Sequence, residues 1–374
     1  MLLSVVIAVL ILSFLVISHE FGHFIVAKKS GIKVEEFALG YPPRIFKIKK
    51  GETTYSINAI PFGGFVKLYG EEEQGEKYLK DPRSFKAKPI AVRALTIAGG
   101  VIMNFLVAVV VFYFLLPLKG FTSQQYLVFD YHFPLGQQQN FPIISFVVKG
   151  SPAEKAGLKP KTIILSGNGI EFKDAEQFVE FANNNKGKKV FLKTRDLDKK
   201  EINKVSVVLR DNPPEGEGPL GVGLGNIAEV KYKTVLEKST VGFIHSFNLI
   251  HYSITALGYL IKSSFQERSI SPLSSSVVGP VGILAATQLT LKEGLVAVLN
   301  LLALISLALV VVNIIPFPAL DGGQLVFLAF EGIFKKRVPE VVEKNVNFVG
   351  FVLLVLLLIL VTIKDVSQFG GMFF

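Results

Sequence analysis

The sequence has no cysteine and few charged residues: none of its 374 positions is Cys, and charged side chains make up only 19%. Without cysteine the chain has neither a disulfide framework nor thiol chemistry, so any bound metal must be held by nitrogen and oxygen. Half of the residues are apolar and the mean hydropathy is +0.47, which excludes an ordinary soluble domain of this length. The composition predicts a membrane protein.

The formal net charge is +10. The basic residues lie mostly in loops beside apolar stretches, where the positive-inside bias of membrane proteins places them. We therefore expect the basic residues to interact with anionic lipids of the bilayer and not with nucleic acid.

Four apolar runs are long enough to cross roughly 30 Å of hydrocarbon as helices. They cover residues 2–27, 91–118, 295–315 and 348–363. The first run has no basic leader and no small-residue cleavage site before its polar motif, so we expect a retained span rather than a signal peptide. The predicted fold is a polytopic α-helical membrane protein with four transmembrane helices.

A fifth apolar stretch, residues 241–265, is interrupted by His245, Asn248, His251 and Lys262. Polar side chains at these positions favour an interfacial amphipathic helix over a fifth span. His132, His245 and His251 do not share a helical face with one another, and we expect them to be interfacial or solvated side chains rather than metal ligands.

The basicity of the loops predicts the orientation. Lysines follow the first span closely, and a basic triplet lies in the short loop between the third and fourth spans, which makes both loops cytoplasmic. These residues are Lys28, Lys29, Lys33, Lys47, Lys49 and Lys50, and then Lys335, Lys336 and Arg337. The N-terminus, the long segment between the second and third spans, and the C-terminus then face outward.

Residues 54–68 alternate apolar with small or polar side chains around a turn at residues 61–64. This pattern predicts a β-hairpin. Its apolar character suggests that it dips toward the membrane, where backbone must be covered by protein or line a wet cavity. We expect the hairpin to be membrane-associated and to border the active site.

From about residue 141 to 210 the composition is that of a soluble α+β domain. Strands are predicted near residues 142–148, 190–194 and 205–209, a hairpin turn at 167–169, and a helix near 175–184. With the stretch Ser151-Pro-Ala-Glu-Lys-Ala-Gly-Leu158, this order resembles a bacterial PDZ domain. The resemblance implies a possible peptide ligand.

The motif His19-Glu20-Phe21-Gly22-His23 lies inside the first apolar run. Two imidazoles four residues apart share a helical face and can bind one zinc ion, and Glu20 beside them can act as the general acid/base for water. Ionisable residues inside a span cost several kcal/mol unless they are paired or bound to metal. This context favours His19 and His23 as zinc ligands and Glu20 as the catalytic residue.

A catalytic zinc usually has three protein ligands, so one more is needed. Asp321 is the candidate, because two prolines, Pro316 and Pro318, break the third span just before it and paired glycines follow. Taken alone, the same stretch is typical of a polar turn leaving the membrane. The incomplete zinc site in the first span favours the ligand.

His-Glu-x-x-His in the first span, with Asn313-Ile-Ile-Pro-Phe-Pro-Ala-Leu-Asp-Gly322 late in the chain, resembles the site-2 protease family of intramembrane zinc metalloproteases. Gly100-Val-Ile-Met-Asn104, Ile60-Pro-Phe-Gly-Gly-Phe65 and Val278-Gly-Pro-Val-Gly-Ile283 resemble further elements of that family. The inserted PDZ-like segment is most similar to the bacterial regulator-of-sigma-E protease branch, although residues 120–230 have room for one PDZ domain where the familiar member has two.

The resemblance implies a zinc-dependent endopeptidase of the bacterial inner membrane. Its substrates would be transmembrane segments of single-span regulatory proteins already trimmed outside, such as anti-sigma factors, or signal-peptide remnants. Substrate contacts are implied for Asn313, Pro316 and Pro318, for Gly63 and Gly64 of the β-loop, and for Asn104. Asn104 has an equally good explanation as a hydrogen-bonding residue in helix packing, with Gly100 permitting close approach.

The implied organisation has four parts. Residues 1–118 and 294–374 form the two halves of the membrane protease core, 119–228 the extracytoplasmic PDZ-like domain, and 229–293 an interfacial helix with its linker. A transporter or a silent membrane scaffold with a PDZ-like domain are the alternatives. No inverted repeat supports a transporter, and an intact Glu20 argues against a scaffold.

Overall fold

The computed structural model describes residues 1–71, 75–197, 199 and 201–372. The chain divides into two units. The helical unit comprises Met1–Leu115 and His245–Phe374, and the inserted unit comprises Leu116–Ile244.

Among the described residues, four helices are long and apolar enough to cross a membrane, one at each of the four predicted spans. They are α1 (Leu2–Lys29), α3 (Ile90–Leu118), α10 (Leu295–Ile314) and α12 (Glu340–Phe369). The last extends beyond the predicted run at both ends. The other helices associated with this unit are α2 (Glu76–Lys80), α7 (Val241–Gln266), α8 (Ser271–Ser276), α9 (Pro280–Glu293) and α11 (Asp321–Phe334), with a 3-10 turn at Gly370–Met372.

Helix α7 forms where the amphipathic helix is predicted, and it is not among the candidate spans. The expectation that His245 is interfacial or solvated is wrong, because its side chain is only 2% exposed. Its ring lies edge-on against Phe112 of α3, with the ring centroids 4.6 Å apart. His251 is exposed on the same helix. The polar positions of α7 are therefore divided between a buried and an exposed face.

The β-hairpin prediction needs correction. The chain turns between β1 (Val34–Lys50) and β2 (Thr53–Leu68), and β2 also reverses direction between Ile57 and Gly64, near the predicted turn. The two arms predicted within residues 54–68 do not pair with each other. They pair with the same part of β1: Leu39 is registered with both Ile57 and Gly64. Sequence reasoning missed β1, so it assigned the two halves of β2 to each other.

Helices α1 and α3 touch through glycine. A Cβ added at Gly22 would lie 2.1 Å from the carbonyl oxygen of Gly99, and one at Gly99 would lie 2.7 Å from that of Gly22. Small residues let helix backbones approach closely where lipid offers no competing hydrophobic drive. This contact sets the distance between the helix that carries His19 and the helix that faces it.

Helix α12 is clamped to the α8–α9 connection by two adjacent residues. Asp365 is fully buried, and its Oδ2 accepts hydrogen bonds from the backbone amides of Gly279 (2.9 Å) and Gly282 (2.8 Å) at the start of α9. Lys364 donates to the backbone carbonyls of Ser274 and Val277 at the end of α8. The Asp365 carboxylate thus lies at the N-terminal, positive end of α9, and the Lys364 ammonium lies at the C-terminal, negative end of α8. The helix dipole favours both placements.

The described part of the inserted unit contains seven strands and three short helices. In its sheet the order is β3-β9-β4-β5-β7-β8, and β6 pairs with β5. The predicted turn at residues 167–169 and the predicted helix are confirmed. The strands are β3 (Thr122–Leu127), β4 (Gln137–Val147), β5 (Thr162–Gly167), β6 (Ile170–Glu171), β7 (Lys189–Asp196), β8 (Ile202–Val208) and β9 (Val222–Lys231), and the helices are α4 (Pro152–Lys155), α5 (Ala175–Asn184) and α6 (Val235–Ser239).

The core of the inserted unit lies between the sheet and α5. Ile164 and Leu192 of the sheet pack with Phe178 and Phe181 of the helix, and all four side chains are buried. Helix α5 begins at Asp174, whose carboxylate accepts a hydrogen bond from the Gln177 amide and so caps the helix. The amphipathic pattern of α5 therefore determines which of its faces meets the sheet.

We predict that replacing Asp365 destabilises the protein. Asp365→Ala removes a charged acceptor from two buried amides and should lower the free energy of unfolding by about 2–4 kcal/mol. Asp365→Asn should cost less, because its amide oxygen can still accept. Denaturation of the purified protein in detergent measures the effect, with exposed Ser367→Ala on the same helix as the control. An Asp365→Ala protein that unfolds with the native midpoint would contradict this role.

Candidate metal centre and active site

Helix α1 brings the two histidines of the motif onto one face. The Nε2 atoms of His19 and His23 lie 3.1 Å apart, and the two side chains are 13% and 14% exposed. This is the separation expected for side chains one helical turn apart that point the same way. Both nitrogens face the same small space.

Asp321 reaches this space from a segment about 300 positions later in the chain. It is the first residue of α11, directly after the non-helical stretch that ends α10. Its Oδ2 lies 3.2 Å from His19 Nε2 and 3.6 Å from His23 Nε2. The break in the helix, as predicted from the two prolines, is what allows the carboxylate to approach the histidines.

The three side chains fit a metal ion. Their ligand atoms all lie within 4.8 Å of one another. Asp321 Oδ2 is buried, no described residue donates a hydrogen bond to it, and a buried carboxylate oxygen without a partner is costly. Two imidazole nitrogens with one carboxylate oxygen are a common protein ligand set for catalytic zinc, which leaves a fourth position open. The donor set matches zinc better than magnesium or calcium, which prefer oxygen alone.

Two residues of α3 orient the imidazoles. His23 Nδ1 is 2.8 Å from the Thr96 carbonyl oxygen, so Nδ1 carries the proton and Nε2 keeps its lone pair. The fully buried Asn104 amide lies 3.5 Å from His19 Nδ1, and its Oδ1 has no hydrogen-bond partner among the residues that the structure describes. The two ends of an amide are interchangeable in such an assignment, and with Oδ1 toward His19 it accepts the Nδ1 proton and again frees Nε2.

Gly100 provides the space in which the imidazoles sit. A Cβ at this position would lie 2.5 Å from His23 Nε2 and 2.6 Å from His19 Nε2. No side chain fits at these distances without moving the rings. The Gly99-Gly100 pair therefore has two separate tasks, since Gly99 contacts the α1 backbone and Gly100 contacts the histidines.

The β-sheet of the helical unit lies against Glu20. A Cβ at Gly64 of β2 would lie 3.4 Å from Glu20 Cγ, and the Val66 amide interacts with the Glu20 carboxylate. Phe65, Val66 and Leu68 line the same cavity as Glu20. The half of β2 that follows Gly63 therefore forms one wall of the site.

The site opens into a cavity of about 770 Å³ within the helical unit. Its far end is charged: Glu331 of α11 accepts from Arg93 (2.6 Å) and Arg337 (3.1 Å), and Lys86 pairs with Glu340 (2.7 Å). Burial raises the pKa of Glu331, but the hydrogen bonds and charge of the two arginines outweigh it and hold that pKa below its usual value. The cavity thus joins the histidines to a group of ion pairs.

The predicted substrate-contacting residues do not all lie at this cavity. Gly64 and Asn104 contact the site residues, as described above. Asn313, Pro316 and Pro318 are absent from the described cavity lining, and Pro318 packs against Gly350 of α12 instead.

No feature of the sequence assigns a role to Thr96, because a backbone carbonyl can come from any residue type. The adjacent glycines at 99 and 100 were a readable signal of close packing in that span.

Comparison with known proteins identifies the family. The model of peptidase family M50 matches residues 7–357 of this chain. The chain belongs to peptidase family M50. A putative zinc metalloprotease of Clostridium perfringens is 33% identical over 362 residues, covering 97% of this chain and 98% of the relative.

Other relatives of this M50 chain also align along almost its whole length. A putative zinc metalloprotease of Nostoc sp. is 33% identical, covering 98% of this chain and 96% of its own. The regulator of sigma-W protease RasP of Bacillus subtilis is 28% identical, covering 98% of each. A solved PDZ domain of an SdrC-like protein from Listeria monocytogenes shares 17% identity, covers 26% of this chain and 93% of its own, and gives a TM-score of 0.21.

These matches confirm the resemblance to site-2 proteases that the motifs indicate. They also confirm the class of activity and the cofactor expected from the sequence: the chain is a zinc-dependent metalloendopeptidase of the intramembrane type. The four apolar helices agree with a membrane protein.

We predict that Gly100→Ala weakens zinc binding at least tenfold. A methyl group would lie inside contact distance of the Nε2 atoms of His19 and His23, although alanine otherwise favours a helix over glycine. The matched control is Gly258→Ala in α7, where a Cβ would meet no atom within 4 Å. Competition with a chromogenic chelator measures the affinity. Equal zinc affinity in the Gly100 and Gly258 variants would contradict the packing described here.

Proposed function

We propose that His19, His23 and Asp321 hold the zinc ion of this M50 protease and that Glu20 is its general acid/base. The observation that carries the proposal is the meeting of three ligand atoms, from two distant parts of the chain, around a buried carboxylate oxygen without a partner. Glu20 follows His19 directly in the same helix and lines the same cavity.

Each residue has a distinct task in this proposal. Zinc supplies Lewis-acid chemistry, which activates water and polarises the peptide carbonyl. Glu20 takes the proton from the attacking water and hands it to the leaving amine. Thr96 and Asn104 keep the imidazole protons on Nδ1, so that the Nε2 lone pairs remain available. No covalent intermediate with the protein is required.

The substrate we propose is a transmembrane segment of a single-span protein. Its peptide bonds are protected by helical hydrogen bonds until the helix unwinds. In the described part of the chain, residues 64–68 of β2 pair with β1 on one side only, and this strand lies beside Glu20. An unwound segment can add there as a further strand, with Gly63 and Gly64 allowing close approach. Asn313, Pro316 and Pro318 are proposed to shape the end of this binding path.

A regulatory protein such as an anti-sigma factor, already trimmed outside the membrane, or a signal-peptide remnant is the proposed substrate class. The name of the Bacillus subtilis relative, regulator of sigma-W protease, supports a regulatory substrate. We also propose a peptide site on the PDZ-like unit, residues 119–228. A groove lined by Val179, Asn183 and Leu224 beside α5 supports it.

The proposed location is the bacterial cytoplasmic membrane, with the PDZ-like unit outside. The lysines after α1 and the Lys335-Lys336-Arg337 triplet support cytoplasmic loops. Arg337 also donates to the Lys86 carbonyl just before α3, at 2.8 Å, which places the beginning of α3 beside the α11–α12 loop. Water would reach the zinc from that side, through the charged end of the cavity.

We predict that Glu20→Gln strongly slows peptide cleavage while zinc still binds. Loss of a general acid/base should lower kcat by about 10²- to 10⁴-fold. Purified protein and a model transmembrane substrate test this, with and without chelator, and zinc is measured in parallel. Glu52→Gln, which changes a carboxylate outside the cavity, is the control. Cleavage by Glu20→Gln at the native rate would rule out the proposed chemistry.

We predict that Asp321→Ala binds zinc at least tenfold more weakly than the native protein, because one of three ligands is removed. Its Glu20 is intact, so the loss of cleavage in this variant should be partly restored by excess zinc. Zinc affinity equal to that of the native protein would exclude Asp321 as the third ligand.

A further inference from the structure

The loop that carries Asp321 into the site has a strained backbone. Ala319, two residues before Asp321, has a φ of 70°. This left-handed conformation is easy for glycine but unfavourable for a residue with a Cβ. Such a conformation persists only where its surroundings hold it.

Contacts within the loop and with the first turn of α11 partly stabilise this conformation. The Phe317 amide donates to the Ile315 carbonyl at 2.7 Å, and the Leu320 amide donates to the Phe317 carbonyl at 3.2 Å. Gly322 and Gly323 have no room for a Cβ: one would lie 2.1 Å from the Ile315 oxygen and the other 2.3 Å from the Phe317 oxygen. The loop is thus folded tightly back on the first turn of α11. None of these contacts involves the Ala319 amide.

Helix α12 supplies the missing contact. The Asn347 side-chain oxygen accepts a hydrogen bond from the Ala319 amide at 3.1 Å. One turn further along, a Cβ at Gly350 would lie 2.5 Å from Pro318 Cβ, so the helix backbone itself contacts the loop. Two consecutive loop residues, 318 and 319, are therefore seated on one face of α12.

The contact of Asn347 and Gly350 with the loop is one of few places where α12 is buried against the rest of the protein. Among the described residues of the helix, only Gly350 and Asp365 are buried. Asp365 attaches the helix to the start of α9, and Gly350 with Asn347 attaches it to the Asp321 loop. The conformation of the backbone that precedes Asp321 therefore depends on the position of α12.

We propose that Asn347 is a positioning residue for the metal ligand Asp321, acting through the Ala319 backbone. The inference rests on the proposed role of Asp321 as a zinc ligand. Without the Asn347 acceptor, the Ala319 amide loses its partner and the left-handed conformation is less populated, so the carboxylate spends less time in reach of His19 and His23. Asn347 also lines the cavity that contains His19, Glu20 and His23, and its proposed effect on Asp321 passes through the Ala319 backbone.

Asn347→Ala should weaken zinc binding by about five- to tenfold, the effect of losing one hydrogen bond to the backbone. The control is Asn345→Ala, which removes an exposed asparagine two residues earlier on α12. The zinc dissociation constant is measured by chelator competition. The visible spectrum of the cobalt(II)-substituted protein is recorded alongside, because its intensity reports the ligand geometry without any need for turnover.

Ala319→Gly supplies the rescue. Glycine adopts the left-handed conformation without a Cβ penalty, so the double variant Asn347→Ala/Ala319→Gly should bind zinc within about twofold to threefold of the native protein and recover its cobalt spectrum. Ala319→Gly alone should change little. A residue that merely contributes to general stability would not be rescued by this change of backbone preference.

The outcomes separate the two proposals. If Asn347→Ala and Asn345→Ala bind zinc equally well while Asp321→Ala does not, the positioning role is wrong and the metal site stands. If the Asn347→Ala loss is not reduced by Ala319→Gly, the effect does not pass through the Ala319 backbone and the positioning role is again wrong. If Asp321→Ala binds zinc normally, the proposed ligand itself is wrong.

Discussion

A carboxylate and two imidazole nitrogens meet where α1 and α11 approach each other, among helices composed mostly of apolar residues. Bringing these groups out of water is unfavourable unless each acquires a partner. In the part of the chain that the structure describes, Asp321 Oδ2 has no hydrogen-bond partner. The arrangement of these three groups fits a single cation, and several glycines of the helical unit let them come together.

The approach of the helices depends on residues without side chains. Gly22 and Gly99 let α1 and α3 touch, and Gly100 leaves space for the imidazoles. Gly322 and Gly323 let the loop after α10 fold against α11, so that Asp321 points inward. In a membrane, where hydrophobic burial does little to drive helices together, such close contacts are a main source of packing energy. The site's geometry therefore depends on glycines beside its own residues, Gly22, Gly322 and Gly323, and on Gly99 and Gly100 of another helix.

The sequence predicted what depends on residue type and spacing. Four spans follow from long apolar runs, and His19, Glu20 and His23 follow from a one-turn spacing in a place where polar residues are costly. The break before Asp321 follows from Pro316 and Pro318. The pairing of β2 was mispredicted, because strand partners depend on a preceding strand, β1, that lacks a clear alternating pattern. Contacts made by backbone atoms, such as the Thr96 carbonyl and the Ala319 amide, carry no side-chain signature at all.

The burial of His245 and Asp365 was not predicted either, because it depends on residues distant in sequence. His245 interrupts an apolar stretch and so suggests an interface, yet Phe112 covers its ring. Asp365 lies near the end of an apolar helix, a position where an acidic side chain is expected to be exposed. It is fully buried, because the start of α9 packs against it and donates hydrogen bonds to its carboxylate. In both cases the partner comes from more than 80 residues away, beyond the reach of local patterns.

Zinc K-edge X-ray absorption of the purified native protein tests the central claim most directly, because it counts ligands without requiring a substrate. The account predicts a first shell of nitrogen and oxygen only, at about 2.0–2.1 Å, with outer-shell scattering from two imidazoles. Since the chain has five histidines, scattering from three or more would show that a histidine outside the motif is a ligand and would contradict the His19–His23–Asp321 site.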